Sequence, residues 1–388
     1  MTRVAFLIRS LDRGGAERQL VELARRLPRD RFSVSVLIFY GGGALEPLLA
    51  EAGVELVSLQ KGGRWDVARF LWRAWREVGR RRPQVVHGYL GVANELAWLL
   101  GRTHGARVAW GIRSASIDFS RYDWSHRASF LASARLSRFV DLIIYNSEAG
   151  AAEHRRSGYR PRSELVIPNG VDVDRFRRDE EGRLRVRAEW GAARDEPLVG
   201  LVARVDPTKA PEVFLAAAAR LHARAPRCRF VVVGEASSPY AASLRQSAAA
   251  RSLGASLTWA GPRDDMPAVY SALDCLVLSS DREGMPNAVA EAMACETPCA
   301  ITRAGDGPTL VGDTGVVVAT RDDLALADAC DRLLAESREA RAARGLAARA
   351  RVVGLFSTDR LVARTAEALE ALASRSGSAA HEGTRAGA

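Results

Sequence analysis

Short apolar segments alternate with helical patterns along the whole chain. In the first half the segments are brief and rich in β-branched residues, which is typical of strands buried in a parallel sheet. They lie at Val4–Ile8, Ser33–Phe39, Val54–Leu59, Val85–His87, Arg107–Ile112 and Leu142–Asn146. Helical patterns separate them, for example over Gly15–Arg26 and Val67–Arg81.

The same alternation restarts near Leu198. It predicts strands at Leu198–Ala203, Arg229–Gly234, Leu257–Trp259 and Cys275–Leu278, and helices at Pro211–His222, Tyr240–Arg251 and Met266–Ala272. Two such series predict an α/β protein with two Rossmann-like parallel-sheet domains. Because ligands of open parallel sheets bind beyond the carboxyl ends of the strands, we expect the site in a cleft between the two domains.

The expected domain boundaries follow from turn-rich and polar segments. Pro168–Asp172 (PNGVD) marks the join, so the N-terminal domain covers 1–168 and the second domain 169–354. A C-terminal helix is expected over 355–373, and packing back on the N-terminal domain is one option for it. The small polar residues of 374–388 predict a disordered tail.

Composition excludes several classes of protein. Hydrophobic residues make up 47% and charged residues 26%, as in a globular protein. No stretch without Asp, Glu, Lys or Arg reaches the roughly 18 residues that a membrane span needs. The apolar run Val4–Ile8 is too short for a signal peptide, and five cysteines without CxxC argue against a zinc or disulfide framework. We therefore expect a cytoplasmic protein.

The second half carries two groups of candidate ligand-binding residues. Glu283 and Gly284 follow the predicted strand at Cys275–Leu278, and Pro286 is placed as a first-turn residue of a helix whose free amides suit a phosphate. Glu291 lies about a turn further on. Both carboxylates suit sugar or ribose hydroxyls; the alternative is that Glu283 caps the helix and Glu291 lies on a solvated face.

Two cations, Arg204 and Lys209, follow the strand that restarts the pattern. The forked guanidinium of Arg204 and the compact ammonium group of Lys209 at one strand end suit a diphosphate. The alternative is that both are solvent-exposed loop residues without a ligand. In the first half, Gly14 and Gly15 open a helix after the first strand and form another anion cradle. The pattern there is not GxGxxG, so the dinucleotide fingerprint is missing.

Five motifs occur in an order that resembles one family. They are GGAE at 14–17, NSEA at 146–149, PNGVD at 168–172, VARVDPTKAPEVFL at 202–215 and EGMPNAVAEAMACETP at 283–298. The chain resembles a retaining GT-B glycosyltransferase of glycosyltransferase family 4 from about Val4 to Phe356, and the Glu283/Glu291 spacing is the most specific element. The resemblance implies metal-independent transfer of a sugar from a nucleotide diphosphate donor with retention at the anomeric carbon. No cofactor or metal is expected; a UDP-sugar is favoured as donor, and a GDP-sugar is an option.

The resemblance also implies roles for individual residues. Arg204 and Lys209 would stabilise the diphosphate leaving group, with Glu283 on the donor-sugar hydroxyls. The remaining donor contacts would come from Gly15, Gly284, Met285, Pro286, Asn287, Ala288, Glu291 (on the ribose) and Arg263 (beside the base). Many members carry a His after the fourth or fifth strand; here Arg113 stands in that stretch. Gly14, His87 and Arg113 are the acceptor-side candidates, and His87 is equally compatible with the core.

The net charge of +10 lies entirely in the first 180 residues, which contain 30 Lys+Arg and 20 Asp+Glu. Helical spacing there predicts one side with Ala68, Leu71, Trp72, Trp75 and Val78 and another with arginines, which suits a membrane surface or an ordinary outer helix. The aromatic segment Ser116–Trp124 is a further candidate to flank the acceptor. No basic–aromatic nucleic-acid motif is present, so nucleic acid is not an expected partner.

The resulting hypothesis is a glycosyltransferase, peripheral on the inner face of the cell membrane, that acts on a lipid-linked saccharide in cell-surface polysaccharide or glycolipid synthesis. The alternatives are a non-catalytic nucleotide-sugar-binding protein and a GT-B epimerase.

Overall fold

A computed structural model describes residues 1–63, 65–113 and 124–382. The chain forms two compact units, one comprising Met1–Gly170 and Thr358–Ala388, the other Val171–Ser357. Each unit is a parallel sheet flanked by helices, which confirms the predicted α/β class with two Rossmann-like domains. The aromatic segment Ser116–Trp124 falls outside the described ranges except for the backbone of Trp124.

The sheet of the first unit has seven strands in the described residues, ordered β3-β2-β1-β4-β5-β6-β7. They are β1 Thr2–Ile8, β2 Phe32–Ile38, β3 Glu55–Ser58, β4 Val85–Tyr89, β5 Arg107–Ile112, β6 Leu142–Tyr145 and β7 Glu164–Val166. The helices between them are α1 Gly15–Arg26, α2 Glu46–Glu51, α3 Val67–Arg81, α4 Gly91–His104, α5 Trp124–Leu136 and α6 Glu148–Arg156. Residues 4–8 of the central strand β1 are all buried, because helices cover both faces of the sheet.

The second unit repeats this plan with six strands, counted over its described residues, in the order β10-β9-β8-β11-β12-β13. They are β8 Leu198–Val202, β9 Arg229–Val233, β10 Leu257–Gly261, β11 Cys275–Leu278, β12 Cys299–Thr302 and β13 Val316–Val318. The helices are α7 Glu180–Glu189, α8 Pro211–Arg224, α9 Pro239–Arg245, α10 Ala248–Leu253, α11 Met266–Ala272, α12 Asn287–Ala294, α13 Gly307–Val311, α14 Asp323–Ala335 and α15 Arg338–Phe356.

The prediction of a single helix over Tyr240–Arg251 is wrong, because this segment forms two helices, α9 and α10, with a break after Arg245. Ser247 lies between them in an extended conformation, and its side chain accepts a hydrogen bond from the Ala250 amide. Ser competes for backbone donors in this way and therefore starts a new helix at this position.

The last helix, α16 (Thr358–Glu382), belongs to the first unit. Leu361 and Leu369 join the buried cluster that contains Phe6, and Arg31 forms a two-pronged ion pair with Glu370 at 2.9 and 2.5 Å. The helix ends at Glu382, nine residues past the expected end at residue 373 and therefore within the expected tail. Of the expected tail, 383–388 lie outside the described residues. Within the described ranges, no helix combines the length and the apolar character needed to cross a membrane.

Gly170 lies where the chain leaves the first unit, and both its backbone N–H and its carbonyl are hydrogen-bonded to one side chain. The buried amide of Gln19 donates to the Gly170 carbonyl and accepts from the Gly170 N–H, each at 2.8 Å. A Cβ atom at Gly170 would lie 2.6 Å from the Cα atom of Thr358. Only glycine therefore fits between α1 and the start of α16.

Replacing Gly170 with Ala is expected to lower the free energy of unfolding by about 1–3 kcal/mol, because the new methyl group overpacks against the α16 backbone. Urea unfolding followed by circular dichroism measures this change. Gly354→Ala is the matched control, since a Cβ atom at that exposed helical position meets nothing within 4 Å. It should be neutral or slightly stabilising. Equal stability of the Gly170→Ala and wild-type proteins would contradict the packing argument.

Candidate functional site

Two loops at the carboxyl edge of the second sheet are joined by hydrogen bonds. After β8 the chain forms a short 3₁₀ turn, Pro207–Lys209, which Asp206 caps by accepting from the Thr208 amide at 2.9 Å. After β11 the Ser279 hydroxyl donates to the Lys209 carbonyl at 2.9 Å, and the Asp281 amide donates to the Thr208 carbonyl at 3.1 Å. The two neighbouring strands thus fix the position of Lys209.

Lys209 and Glu283 form an ion pair at this edge. The Lys209 Nζ atom lies 2.6 Å from Glu283 Oε1, and the Ser280 hydroxyl donates to the same oxygen at 2.6 Å. The Glu283 side chain is only 8% exposed and that of Lys209 is 27% exposed. Because the pair is partly shielded from water, it is stronger than a surface ion pair and orients both groups.

The loop after β12 holds this arrangement from a third strand. The Thr302 hydroxyl donates to the Ser280 carbonyl at 2.6 Å, and the Asp306 amide donates to the Gly284 carbonyl at 2.9 Å. Gly305 has a φ of +54°, and a Cβ atom there would lie 2.1 Å from the Glu283 carbonyl oxygen. The glycine turn is therefore required for the close approach of the two loops.

Helix α12 begins directly after this loop, with Pro286 at its N-cap rather than in its first turn as predicted. Proline has no side chain that caps a helix, so the first amides of α12 suit an anionic group. The side chain of Met285 packs in the core of the unit, which leaves its backbone for any ligand. The alternative that Glu283 caps the helix is wrong.

Glu291 lies in the second turn of α12 and is 8% exposed, so the alternative of a solvated face is also wrong. The Tyr270 hydroxyl donates to Glu291 Oε2 at 2.7 Å. A buried carboxylate that accepts from a fixed hydroxyl has a defined orientation, which a site for a ribose hydroxyl would need.

Arg204 is not part of the Lys209–Glu283 pair in this structure. Its side chain is 72% exposed, and its Nε atom donates to Asp206 Oδ2 at 2.8 Å. Burial favours a higher pKa for Asp206, but hydrogen bonds from Thr208 and Arg204 outweigh it and lower the pKa below its usual value. Asp206 is therefore a carboxylate that holds the turn and one guanidinium together.

Arg263, the candidate for contact with a base, is held by carboxylates. It donates to both oxygens of Asp265 at 2.9 Å and to Glu189. The hydrogen bonds from Arg263 are the main reason that the pKa of Asp265 falls to about 2. The guanidinium is thus fixed in an ionic cluster beside the end of β10.

In the first unit, Arg113 follows β5 and contacts the end of β4. It also contacts residues of the NSEA and PNGVD motifs. It donates to the Tyr89 hydroxyl at 2.7 Å and to Asn169 Oδ1 at 3.3 Å, and its guanidinium lies 4.8 Å from the centre of the Tyr89 ring. The Asn146 side chain reaches the Arg113 carbonyl at 3.5 Å. These four polar residues form a cluster at the carboxyl edge of the first sheet.

His87 is fully buried and therefore lies in the core rather than on a surface that an acceptor reaches. Its ring packs between Phe6 at 5.3 Å and Tyr89 at 4.9 Å, measured between ring centres. Burial, with a further contribution from Arg113, lowers the pKa of His87 to about 3. The imidazole is therefore neutral at physiological pH.

Gly14 and Gly15 open α1 as predicted, with Gly14 at the N-cap. The Glu17 carboxylate folds back over this end of the helix: one of its oxygens lies 1.9 Å from the position that a Cβ atom of Gly14 would take. A negative charge is favourable there because of the helix dipole. An anionic ligand at this cradle would meet the Glu17 carboxylate first.

Several supporting residues were not found from the sequence. Ser280, Thr302, Tyr270 and Tyr89 each position a candidate residue through a side-chain hydrogen bond. Their only sequence signal was a position in or next to a predicted strand or helix end. The partners of Thr302, Tyr270 and Tyr89 are more than 20 residues away along the chain, whereas Ser280 lies three residues before Glu283 in the same loop.

Two Rossmann-like units with parallel sheets of seven and six strands are the architecture of GT-B glycosyltransferases. Solved structures of similar fold agree. Anabaena HepE in complex with UDP-glucose superposes with a TM-score of 0.84 over 96% of this chain and all of that one, at 21% identity. WaaG, a glycosyltransferase involved in lipopolysaccharide biosynthesis, gives a TM-score of 0.71 at 17% identity, covering 94% of this chain and 99% of that one.

Sequence comparison gives the family. The model "Glycosyltransferase Family 4" matches residues 13–175, and "Glycosyl transferases group 1" matches 196–336. A D-inositol 3-phosphate glycosyltransferase of Frankia alni is 34% identical over 387 residues, covering 91% of this chain and 94% of that protein. A GDP-mannose-dependent phosphatidylinositol monomannoside mannosyltransferase of Mycolicibacterium smegmatis is 28% identical, covering 70% and 69%. The chain belongs to the family 4 glycosyltransferases, as its motifs indicated.

The buried His87 gives a test of the first unit. Its pKa is about 3 in the folded protein and 6.5 when unperturbed, so below pH 6.5 the unfolded chain takes up a proton that the folded one does not. Stability is therefore lost as the pH falls, by about 2 kcal/mol for this group at pH 5. His87→Leu should remove that share of the difference in urea unfolding between pH 7 and pH 5.

His104→Leu is the control, because it also deletes one imidazole but at a partly exposed position. An unchanged pH dependence in His87→Leu would show that the folded protein protonates His87 as readily as the unfolded chain does.

Proposed function

We propose that the protein transfers a sugar, with retention, from a nucleotide diphosphate-sugar to a hydroxyl of a lipid-linked saccharide, without a metal ion. The observation that carries the proposal is the Lys209–Glu283 pair at 2.6 Å, positioned by three strand-end loops beside the open start of α12. A UDP-sugar is the favoured donor, in line with the UDP-glucose complex of Anabaena HepE. A GDP-sugar is the second option, since one relative is GDP-mannose-dependent.

In the absence of donor, Glu283 neutralises Lys209. A diphosphate brings additional negative charge, and the ammonium group has three donors that it can share between Glu283 and a phosphate oxygen. Arg204 is held by an exposed ion pair with Asp206, and such pairs contribute only about 0–1 kcal/mol. Breaking the ion pair with Asp206 therefore costs little free energy, and the Arg204 guanidinium can become the second cation that contacts the leaving group.

The other groups around the pair fit the remainder of a donor. Glu283 accepts hydrogen bonds from sugar hydroxyls, Glu291 accepts one from the ribose, and the first amides of α12 hold the distal phosphate. The acceptor hydroxyl forms a bond to the anomeric carbon as the bond from that carbon to the phosphate oxygen breaks. The hydroxyl proton passes to a phosphate oxygen. Lys209 and Arg204 stabilise the charge that develops on the leaving group, which replaces the role of a metal.

On the acceptor side, we propose that Arg113 takes the place of the missing histidine. Tyr89 and Asn169 fix the position of its guanidinium, which presents a permanent charge where a histidine would be mostly neutral. Phosphorylated or lipid-borne acceptors of relatives, such as D-inositol 3-phosphate and a phosphatidylinositol mannoside, fit a cationic group at this edge.

Helix α3 supports the membrane part of the proposal. Its buried side consists of Phe70, Ala74 and Val78, so the alternative of an outer helix with Trp72 and Trp75 packed on the sheet is wrong. Both tryptophans are about half exposed, at 55% and 50%, and Trp65 just before the helix is 90% exposed. Exposed tryptophans beside arginines are typical of helices that lie at a membrane interface.

The donor site is tested in two steps. Thermal shift with UDP-, GDP- and ADP-sugars first selects the donor, because a bound ligand stabilises the fold according to its affinity. Lys209→Ala should then lower kcat about 10²–10³-fold, as expected for a lost stabilising charge, and Glu283→Gln should also be severely impaired. The assay follows release of the nucleotide with an undecaprenyl-diphosphate-linked saccharide acceptor, in the presence of EDTA.

Arg251→Ala, which removes an exposed arginine of the same unit, should keep full activity. Activity of Lys209→Ala equal to that of the wild type would exclude this site, and activity that requires added Mg²⁺ or Mn²⁺ would exclude the metal-free mechanism. Donor binding without transfer to any acceptor would favour a non-catalytic nucleotide-sugar-binding protein.

Membrane association is tested by vesicle flotation. The double variant Trp65→Ala/Trp72→Ala should bind phosphatidylglycerol-containing vesicles at least fivefold more weakly, because both side chains are exposed next to a basic helix. Leu324→Ala is the control, since it removes an exposed apolar side chain from the other unit. Binding that is equal in all three proteins, or independent of the anionic lipid, would exclude α3 as the membrane contact.

A further inference from the structure

A large cavity lies in the second unit at the sheet edge opposite to Lys209 and Glu283. It has a volume of about 910 Å³ and is lined by Pro197, Asp274 and Pro298, which precede β8, β11 and β12. Lys209 and Glu283 follow the carboxyl ends of β8 and β11. At about 3.3 Å per residue, the five residues of β8 place the two edges about 17 Å apart. A ligand in this cavity would not touch the donor site.

Five arginines line the cavity: Arg178, Arg183, Arg194, Arg338 and Arg341. Four carboxylates line it as well, and three of them are already paired. Glu180 lies 3.1 Å from Arg178, and Asp195 lies 3.3 Å from Arg227 outside the cavity. Asp274 is the third paired carboxylate. The fourth carboxylate, Glu296, has no ion pair among the described residues.

Asp274 is shared by several guanidinium groups. It accepts from Arg187 at 3.0 Å and from Arg183 at 3.4 Å, and Arg341 lies 3.8 Å away. Arg187 is almost completely buried, with 1% exposure. Burial is the main reason that the pKa of Arg183 is lowered, and the neighbouring Arg187 adds to it. One carboxylate at the floor of the cavity thus faces three cations.

Arg341 is held in place but not neutralised. Its Nη2 atom donates to the carbonyls of Leu334 at 2.7 Å and Glu336 at 3.2 Å, and its buried Nε atom has no hydrogen-bond partner among the described residues. Arg194 and Arg338 line the same cavity and form no ion pair with any described residue. Arg341 shares Asp274 with Arg183 and Arg187, so Glu296 is the one further carboxylate left to balance Arg194 and Arg338, and positive charge is in excess in the cavity.

We propose that this arginine cavity, defined by Arg194, Arg338 and Arg341, binds a phosphate-bearing small molecule. Guanidinium groups bind phosphate oxygens in pairs of hydrogen bonds, and those of the cavity are in excess over its carboxylates. The volume lies at the upper end of the roughly 300–1,000 Å³ range of small-molecule pockets, enough for a nucleotide or a sugar phosphate. Leu273, Leu334 and Leu346 provide apolar surface for the rest of the molecule.

Pyrophosphate is the probe, and isothermal titration calorimetry at constant ionic strength is the measurement. The background variant Arg204→Ala/Lys209→Ala removes the cations of the donor site, so that binding there does not mask the second site. This protein should bind pyrophosphate saturably. Adding Arg194→Ala and Arg338→Ala should raise the Kd at least tenfold. Neither of these two side chains has a described ion pair, and both are exposed, so the fold should be kept; the circular dichroism spectrum checks this.

Adding Arg251→Ala to the background instead should change the Kd less than twofold, since this arginine does not line the cavity. Arg341→Ala in the same background should weaken binding as well. The proposal is overturned if the background variant shows no saturable binding, if Arg194→Ala and Arg338→Ala leave the Kd unchanged, or if polyglutamate binds saturably where pyrophosphate does not. None of these outcomes depends on transferase activity, so the proposed function is tested separately.

Discussion

The ion pair between Lys209 and Glu283 is the interaction on which the second unit's site depends. Two charged side chains lie only 2.6 Å apart because the loops after β8 and β11 are joined through Ser279 and Asp281. Neither charge would remain in such a shielded position without its partner. The ion pair also keeps the resting site neutral, and a donor that adds negative charge changes this balance. In the proposed reaction, donor binding would therefore also rearrange the charges that stabilise the leaving group.

Glycine determines how closely the site's backbone segments approach one another. Gly305 allows the loop after β12 to touch the carbonyl groups of Glu283 and Gly284, and no other residue fits there at its positive φ. Gly170 plays a comparable part in the first unit, where it lies against Thr358 and is paired with the amide of Gln19. Gly170, part of the PNGVD motif, and Gly305, outside the motifs, are therefore both steric requirements of the fold.

Buried strands could be predicted because both faces of a parallel sheet are covered, which gives continuous apolar runs such as Val4–Ile8. Helical spacing placed Trp72 and Trp75 on one side of α3, but it alone does not tell whether Trp75 or Phe70 packs on the sheet, and the structure buries Phe70. Glu283 and Glu291 were found by their spacing. Tyr270, which orients Glu291, was not found, since only the tertiary structure brings the two residues within hydrogen-bond distance. Ser280 is only three residues from Glu283, but its contact depends on a loop conformation that the sequence pattern does not give. The local pattern of apolar residues thus predicts strands and helices, whereas the arrangement of the site depends mainly on contacts between segments that are distant along the chain.

Helix α16 has a consequence for the way the chain folds during synthesis. The first unit is built from Met1–Gly170 and from the chain after Ser357, with the whole second unit inserted between them. Its core includes Leu361, Ala366 and Leu369, so Leu20 and Ile167 of the same cluster stay uncovered until these residues are made. The second unit is complete earlier, although it is encoded later than most of the first. A nascent chain therefore exposes an apolar face for as long as 187 residues, Val171–Ser357, take to be translated, which is a period open to chaperone binding.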